Sequence, residues 1–137
     1  MVHEHDEEAQ VVRDLIRRQP HYKQKAWEEM PRLERQKLMD AALSAERGLT
    51  LQIAEAQRIL DDHSEIRKSL PRLQGEIREE ARTILNSNEK ERVASDLRSA
   101  FNASREAWLE VPTFMRHKSW DTKLKKRALK LIKELTQ

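Results

Sequence analysis

Apolar side chains recur every three or four positions along most of the chain, which is the spacing of amphipathic α-helices. The longest such stripe is made of small and branched side chains and passes through Leu38, Ala42, Ala45, Leu49, Ile53, Ala56, Leu60, His63 and Ile66. The stripe keeps its phase across Gly48, so we expect one long helix here, weakened by about 1 kcal/mol relative to alanine at that position. Small and branched residues at this spacing are suited to close helix packing.

Prolines and an Asn-Ser cluster divide the rest of the chain into shorter helices. Pro20 and Pro71 end the helices that precede them, whereas Pro31 suits the first turn of the long helix. Asn88 is a suitable N-cap. The expected helices cover 6–18 and 21–30, then Leu33 to Ser69, Leu73 to Leu85, Asn88 to Val111, and a last one after a loop over 112–120. No strand pattern is present, so we predict an all-α fold, a single bundle of five to six helices with at least two long helices.

The composition agrees with this fold and excludes several classes of function. Ala, Glu, Lys, Leu and Arg supply 73 of the 137 residues, which is typical of long helices. The chain has no cysteine and only 2 glycines, which excludes disulfides, thiolate metal sites and glycine-rich phosphate loops. No apolar run approaches the roughly 20 residues of a membrane span. Together with the acidic start of the chain, which lacks a signal-peptide pattern, this predicts a cytoplasmic protein.

The formal net charge of +3 conceals a separation of charge along the chain. Residues 1–10 carry four acidic side chains and no Lys or Arg, so we divide the chain into an acidic N-terminal tail, 1–10, and a helical bundle domain, 11–137. The sequence leaves open whether the tail is flexible or ordered, and whether it folds back onto the basic end. Residues 113–137 carry eight basic residues against two acidic ones, and this polarity is the strongest functional clue.

The basic C-terminal loop and helix form a candidate nucleic-acid-binding site. Its candidate residues are Arg116, Lys118, Trp120, Lys123, Lys126, Arg127, Lys130 and Lys133. Lysines along one stripe of a helix can follow a phosphate backbone and release its counterions. Trp120 either stacks on an unpaired base or closes the end of the bundle, whereas Phe101 and Trp108 are expected in the core. A solvated surface, a membrane surface and an acidic protein partner are the other interpretations of this charge.

One short pattern resembles a catalytic signature. Arg58 and His63 are separated by four residues within the long helix. The spacing is similar to the Arg-x4-6-His signature of the HEPN-family ribonucleases, which are also helical bundles of about this size. This six-residue resemblance implies a metal-independent ribonuclease in which Arg58 and His63 act at the scissile phosphate across a dimer. His63 also continues the apolar stripe, which favours a packed or capping histidine.

Taken together, these patterns predict a protein that is not an enzyme and has no metal site or cofactor. We expect a helical subunit or adaptor of a larger assembly that contacts a nucleic-acid backbone without sequence specificity. The alternative is a protein–protein interaction module in which the stripe from Leu38 to Ile66 packs against a second copy or a partner helix. Exposed apolar stripes need covering, and the low apolar fraction of 37% favours such a partner.

Overall fold

The computed structural model describes residues 2–17, 22–116 and 120–137, and the regular structure within them is helical. Its α-helices are α1 (Val2–Arg17), α2 (Tyr22–Glu29), α3 (Arg32–Ser69), α4 (Gly75–Leu85), α5 (Glu89–Leu109) and α6 (Lys125–Leu135). Short 3-10 turns cover Leu70–Arg72 and Thr113–Met115, and a π-helical turn, Trp120–Leu124, leads into α6. The predicted all-α fold with at least two long helices is therefore confirmed. None of these helices is long and apolar enough to cross a membrane.

The long helix α3 is continuous for 38 residues, or about 57 Å, and Gly48 lies inside it without a break. The stripe keeps its phase across the glycine because the backbone is helical on both sides. Pro31 is the N-cap residue of α3 and has an extended backbone, so it lies just outside the first turn in which we expected it. At the other end, a 3-10 turn that contains Pro71 separates α3 from α4.

The core forms where α3, α5 and α6 pack together. The first turn of α5 lies beside the C-terminal part of α3, because Nε2 of His63 is 3.7 Å from a carboxylate oxygen of Glu89. From there α5 packs back along α3, so the two helices are antiparallel. The buried apolar cluster consists of Trp27, Ala42, Leu49, Ile53, Ala56, Ile59, Val93, Ala94, Leu97, Trp108, Val111, Trp120, Ala128, Leu131 and Leu135.

The stripe on α3 lies inside this core and is not exposed to a partner. Ala42, Leu49, Ile53 and Ala56 are buried, and Leu38 and Leu60 pack against the cluster from its edge. Helices α5 and α6 of the same chain cover this face. The expectation that the stripe between Leu38 and Ile66 packs against a second copy or a partner helix is therefore corrected, because helices of the same chain cover it.

The two ends of the chain differ in their boundaries from the sequence-based expectation. Residues 2–10 belong to α1, so the boundary placed at residue 10 falls in the middle of a helix. The last helical segment starts at Trp120, and a 3-10 turn occupies part of the segment 112–120 that we expected to be a loop. Asn88 lies at the N-cap of α5 as predicted, but its side chain makes no capping hydrogen bond.

The two glycines are expected to respond in opposite directions to alanine substitution. Gly48 is helical, and apart from its chain neighbours and the adjacent backbone of α3 no atom lies within 4 Å of an added Cβ, so Gly48→Ala should stabilise the protein by about 0.5–1 kcal/mol. Gly75 begins α4 with φ of 62°, so Gly75→Ala should destabilise by about 1 kcal/mol. Urea denaturation followed by circular dichroism measures both changes, and a destabilising Gly48→Ala would contradict the continuous α3.

Two leucines on α3 test where the core lies. Leu49 is fully buried, so Leu49→Ala should lower the free energy of unfolding by about 2–5 kcal/mol. Leu51 is 71% exposed, and Leu51→Ala should change the same quantity by less than about 0.5 kcal/mol. Thermal and urea denaturation of the two variants provides the comparison. Equal losses would show that the α3 face is packed differently.

Candidate nucleic-acid interface

Helix α6 has a buried face and a basic face on opposite sides. Ala128, Leu131 and Leu135 are buried against the bundle. Three lysines of α6 point the opposite way, since at 100° per residue they fall within an arc of about 60° roughly opposite Ala128. These three, together with Lys123 in the π-helical turn that leads into α6, form what we call the lysine face. Its residues are Lys123, Lys126, Lys130 and Lys133, and all four are exposed. Burial of one face therefore fixes the direction of the other.

The lysine face has no acidic neighbour at ion-pair distance among the described side chains. The Lys and Arg ion pairs found between described side chains include those within α3 and α4, none of which involves the lysine face. Arg127 is also exposed and lies at the edge of the lysine face. Ammonium groups without a carboxylate partner are free to bind an external anion, and their mutual repulsion falls when they do.

Trp120 belongs to the core. Its side chain is 1% exposed, and its ring centroid lies 6.0 Å from that of Phe101, with a tilt of 38°. The ammonium group of Lys125 lies 5.3 Å from the Trp120 ring centroid, in cation–π contact. A ring covered in this way has no free face for a base. The expectation that Trp120 stacks on nucleic acid is therefore corrected in favour of a packing role, as already expected for Phe101 and Trp108.

Arg116 stabilises the end of α5. Its Nε donates hydrogen bonds to the carbonyl oxygens of Trp108, at 3.1 Å, and Val111, at 3.2 Å. Carbonyls at a helix C-terminus have no partner within the helix, and a cationic donor is well suited to them. This half-buried side chain therefore has a structural role apart from the lysine face. Lys118 lies outside the described residues.

The structure does not bring Arg58 and His63 to a common surface. The guanidinium of Arg58 is exposed and forms ion pairs with Glu55, at 2.7 Å, and Asp62, at 3.0 Å. The hydrogen bond from Arg58 holds the pKa of Glu55 below its usual value, and it raises the pKa of Arg58. His63 is 1% exposed and lies about 140° around the helix from Arg58. A substrate phosphate cannot contact both side chains of one chain in this arrangement.

Several features of the surface were not found from the sequence. Leu129 is 54% exposed next to the lysine face, and Val11, Val12 and Leu15 on α1 are each more than half exposed. A helical wheel would have separated Leu129 from the buried positions of α6, whereas the exposure of α1 depends on tertiary packing. No group of three His, Cys, Asp or Glu side chains close enough to hold a metal ion occurs among the residues that the structure describes.

A core role for Trp120 predicts a large loss of stability on truncation. Trp120→Ala should lower the free energy of unfolding by about 3–5 kcal/mol, because it removes a buried ring and its contact with Phe101. Lys123→Ala, a truncation at an exposed position in the same turn, should change it by less than about 0.5 kcal/mol. Urea denaturation measures both. A Trp120→Ala variant as stable as the wild type would contradict the core assignment.

Comparison of the chain with protein-family models, with curated proteins and with solved structures finds no match. We therefore infer function from the chemistry of the residues described above.

Proposed function

We propose that the protein binds the phosphate backbone of a nucleic acid through the lysine face of α6, together with Arg127. The observation that supports this most directly is the arrangement of exposed cations on one side of a helix whose opposite side is buried. A helix fixed by its buried face presents its charges at a defined spacing. Because these charges are already ordered, binding of the ligand does not have to offset the entropy cost of ordering them.

The spacing of the lysines fits a run of phosphates. Lys123 and Lys133 are ten residues apart, which is about 15 Å along the helix axis. One strand of B-form DNA carries about four phosphates over the same axial distance. Four flexible lysine side chains can therefore each approach a different phosphate of one strand.

The proposed contact carries no sequence information. Lysine is a point charge that positions a backbone, whereas base recognition needs directional donors and acceptors in a groove. Because Trp120 is buried, it does not offer the aromatic surface for stacking on single strands that was one of the two roles considered for it. We therefore expect binding to both duplexes and single strands, with affinity set by salt concentration.

A non-enzymatic subunit or adaptor is the role that fits such a contact best, and a cytoplasmic location stays a prediction from the sequence. A small bundle that holds a backbone without reading its sequence contributes affinity to an assembly whose specificity lies elsewhere. Arg58 and His63 do not support a ribonuclease site within one chain, because one is paired at the surface and the other is buried.

Charge reversal on α6 tests the proposal. The combined variant Lys126→Glu, Lys130→Glu and Lys133→Glu should weaken binding to a labelled 20-nucleotide DNA or RNA at least tenfold at about 50 mM salt. The slope of log affinity against log salt should become shallower by about 0.7–0.9 for each phosphate that the variant no longer neutralises. Fluorescence anisotropy over a salt series measures both quantities.

The matched control carries the same change in charge on α3, at Arg32→Glu, Lys37→Glu and Arg47→Glu, which are all exposed. This control variant should retain most of the wild-type affinity, because its substitutions are outside the lysine face. An equal loss in both variants would show that net charge alone governs binding. A wild-type affinity that is the same at about 50 and 200 mM salt would overturn the backbone contact.

A further inference from the structure

Helix α1 exposes apolar side chains that the rest of the described chain does not cover. Val11, Val12 and Leu15 are 58%, 53% and 52% exposed, and none of them belongs to the core cluster. Glu7 and Glu8 lie one turn earlier and line a surface depression together with Val11 and Val12. The exposed face of α1 thus combines apolar contact surface with two neighbouring carboxylates.

The outer side of α6 has the same construction with the opposite charge. Leu129 is 54% exposed. On the helical wheel it lies about 40–60° from Lys133 and Lys126, which belong to the lysine face. An exposed leucine flanked by lysines is therefore complementary to exposed valines flanked by glutamates, in both hydrophobic and electrostatic terms.

We propose that α1 of one copy of this protein packs on the outer side of α6 of a second copy. Val11 and Val12 of one chain cover Leu129 of the other, while Glu7 and Glu8 approach Lys126 and Lys133. The same contact forms a second time when the second chain returns its own α1 to the first. The two contacts close the assembly as a symmetric dimer.

A second copy explains these surfaces better than a contact within one chain. Both faces are exposed at the same time in the single chain, so its own α6 does not cover its own α1. The two partners also match in length. α1 has 16 residues, and the π-helical turn and α6 have 5 and 11.

The size of the contact indicates a weak and salt-sensitive dimer. One helix lying on another covers less than the roughly 1,200–2,000 Å² of a stable interface, so both reciprocal contacts are needed. Exposed ion pairs are screened by salt, which should dissociate the dimer as the ionic strength rises.

This dimer does not depend on nucleic-acid binding, although it uses two of the same lysines. Nucleic acid and α1 would compete for the outer side of α6 if the protein binds both. The dimer is therefore best measured on protein freed of nucleic acid by nuclease treatment and checked by its ultraviolet absorbance ratio. If the protein does not bind nucleic acid, the measurement of the dimer under these conditions is unaffected.

Charge exchange between α1 and α6 tests the contact. At about 50 mM salt and increasing protein concentration, light scattering of the wild type should approach twice the chain mass of 16.2 kDa. Glu7→Lys with Glu8→Lys should give a monomer, and so should Lys126→Glu with Lys133→Glu. The chain that carries all four substitutions should return to a dimer, because the charges are again opposite across the contact.

The control variant reverses another adjacent pair of exposed glutamates, Glu79→Lys with Glu80→Lys on α4, and it should remain a dimer. Circular dichroism verifies that each variant is folded, which is expected because the substituted side chains are exposed. A wild type that stays monomeric at all concentrations overturns the proposal. A contact of α1 with α6 of the same chain would also give this result and so would also overturn it. Failure of the four-substitution chain to dimerise, or dissociation of the α4 variant alone, also overturns it.

Discussion

The packing of α3 against α5 brings two backbones close together along a seam of small side chains. Ala42 and Ala56 on α3, and Ala94 and Ser104 on α5, are almost completely buried. Larger side chains between these positions, such as Leu97, fill the remaining space, and burial of their apolar surface is the main driving force. The other well-packed elements depend on this pair. Helix α6 packs against both helices, and α4 packs against α3.

The direction of the lysine face follows from that arrangement. Ala128, Leu131 and Leu135 occupy the space beside the α3–α5 pair, so the rotation of α6 about its axis is fixed by its apolar residues. The lysines then have only the outer side available. Trp120 anchors the beginning of this segment by packing on Phe101. A charged surface suited to an anionic ligand thus arises from the hydrophobic pattern of the helix that carries it.

The positions of the helices could be predicted from the sequence because periodicity and helix breakers are local signals. The stripe through Ala42, Leu49 and Ile53 showed that this face of α3 is buried, but periodicity does not identify what covers it. The low apolar fraction suggested an external partner, whereas α5 and α6 of the same chain cover the stripe. On α1, by contrast, Val11, Val12 and Leu15 are exposed, and no sequence signal distinguishes a covered valine from an exposed one.

The lysines of the candidate site were predictable for the same local reason, whereas Trp120 and Arg116 were not. Trp120 lies between polar neighbours, so its burial depends on the distant Phe101. The hydrogen bonds of Arg116 to the carbonyls of Trp108 and Val111 depend on the path of the chain after α5. Because of such tertiary contacts, residues that the local sequence predicts to bind a ligand can instead have a structural role.

Because α6 is buried on one side and exposed on the other, binding of any ligand to its exposed side would be linked to the stability of the bundle. An isolated helix of 11 residues is only marginally stable in water, so α6 depends on its contacts with the core. When the core releases α6, the ordered lysine face disappears with it. Anything that binds this face in the folded state therefore shifts the folding equilibrium toward the native bundle by mass action. For this chain, ligand binding at the lysine face and the resistance of the core to unfolding would therefore rise and fall together.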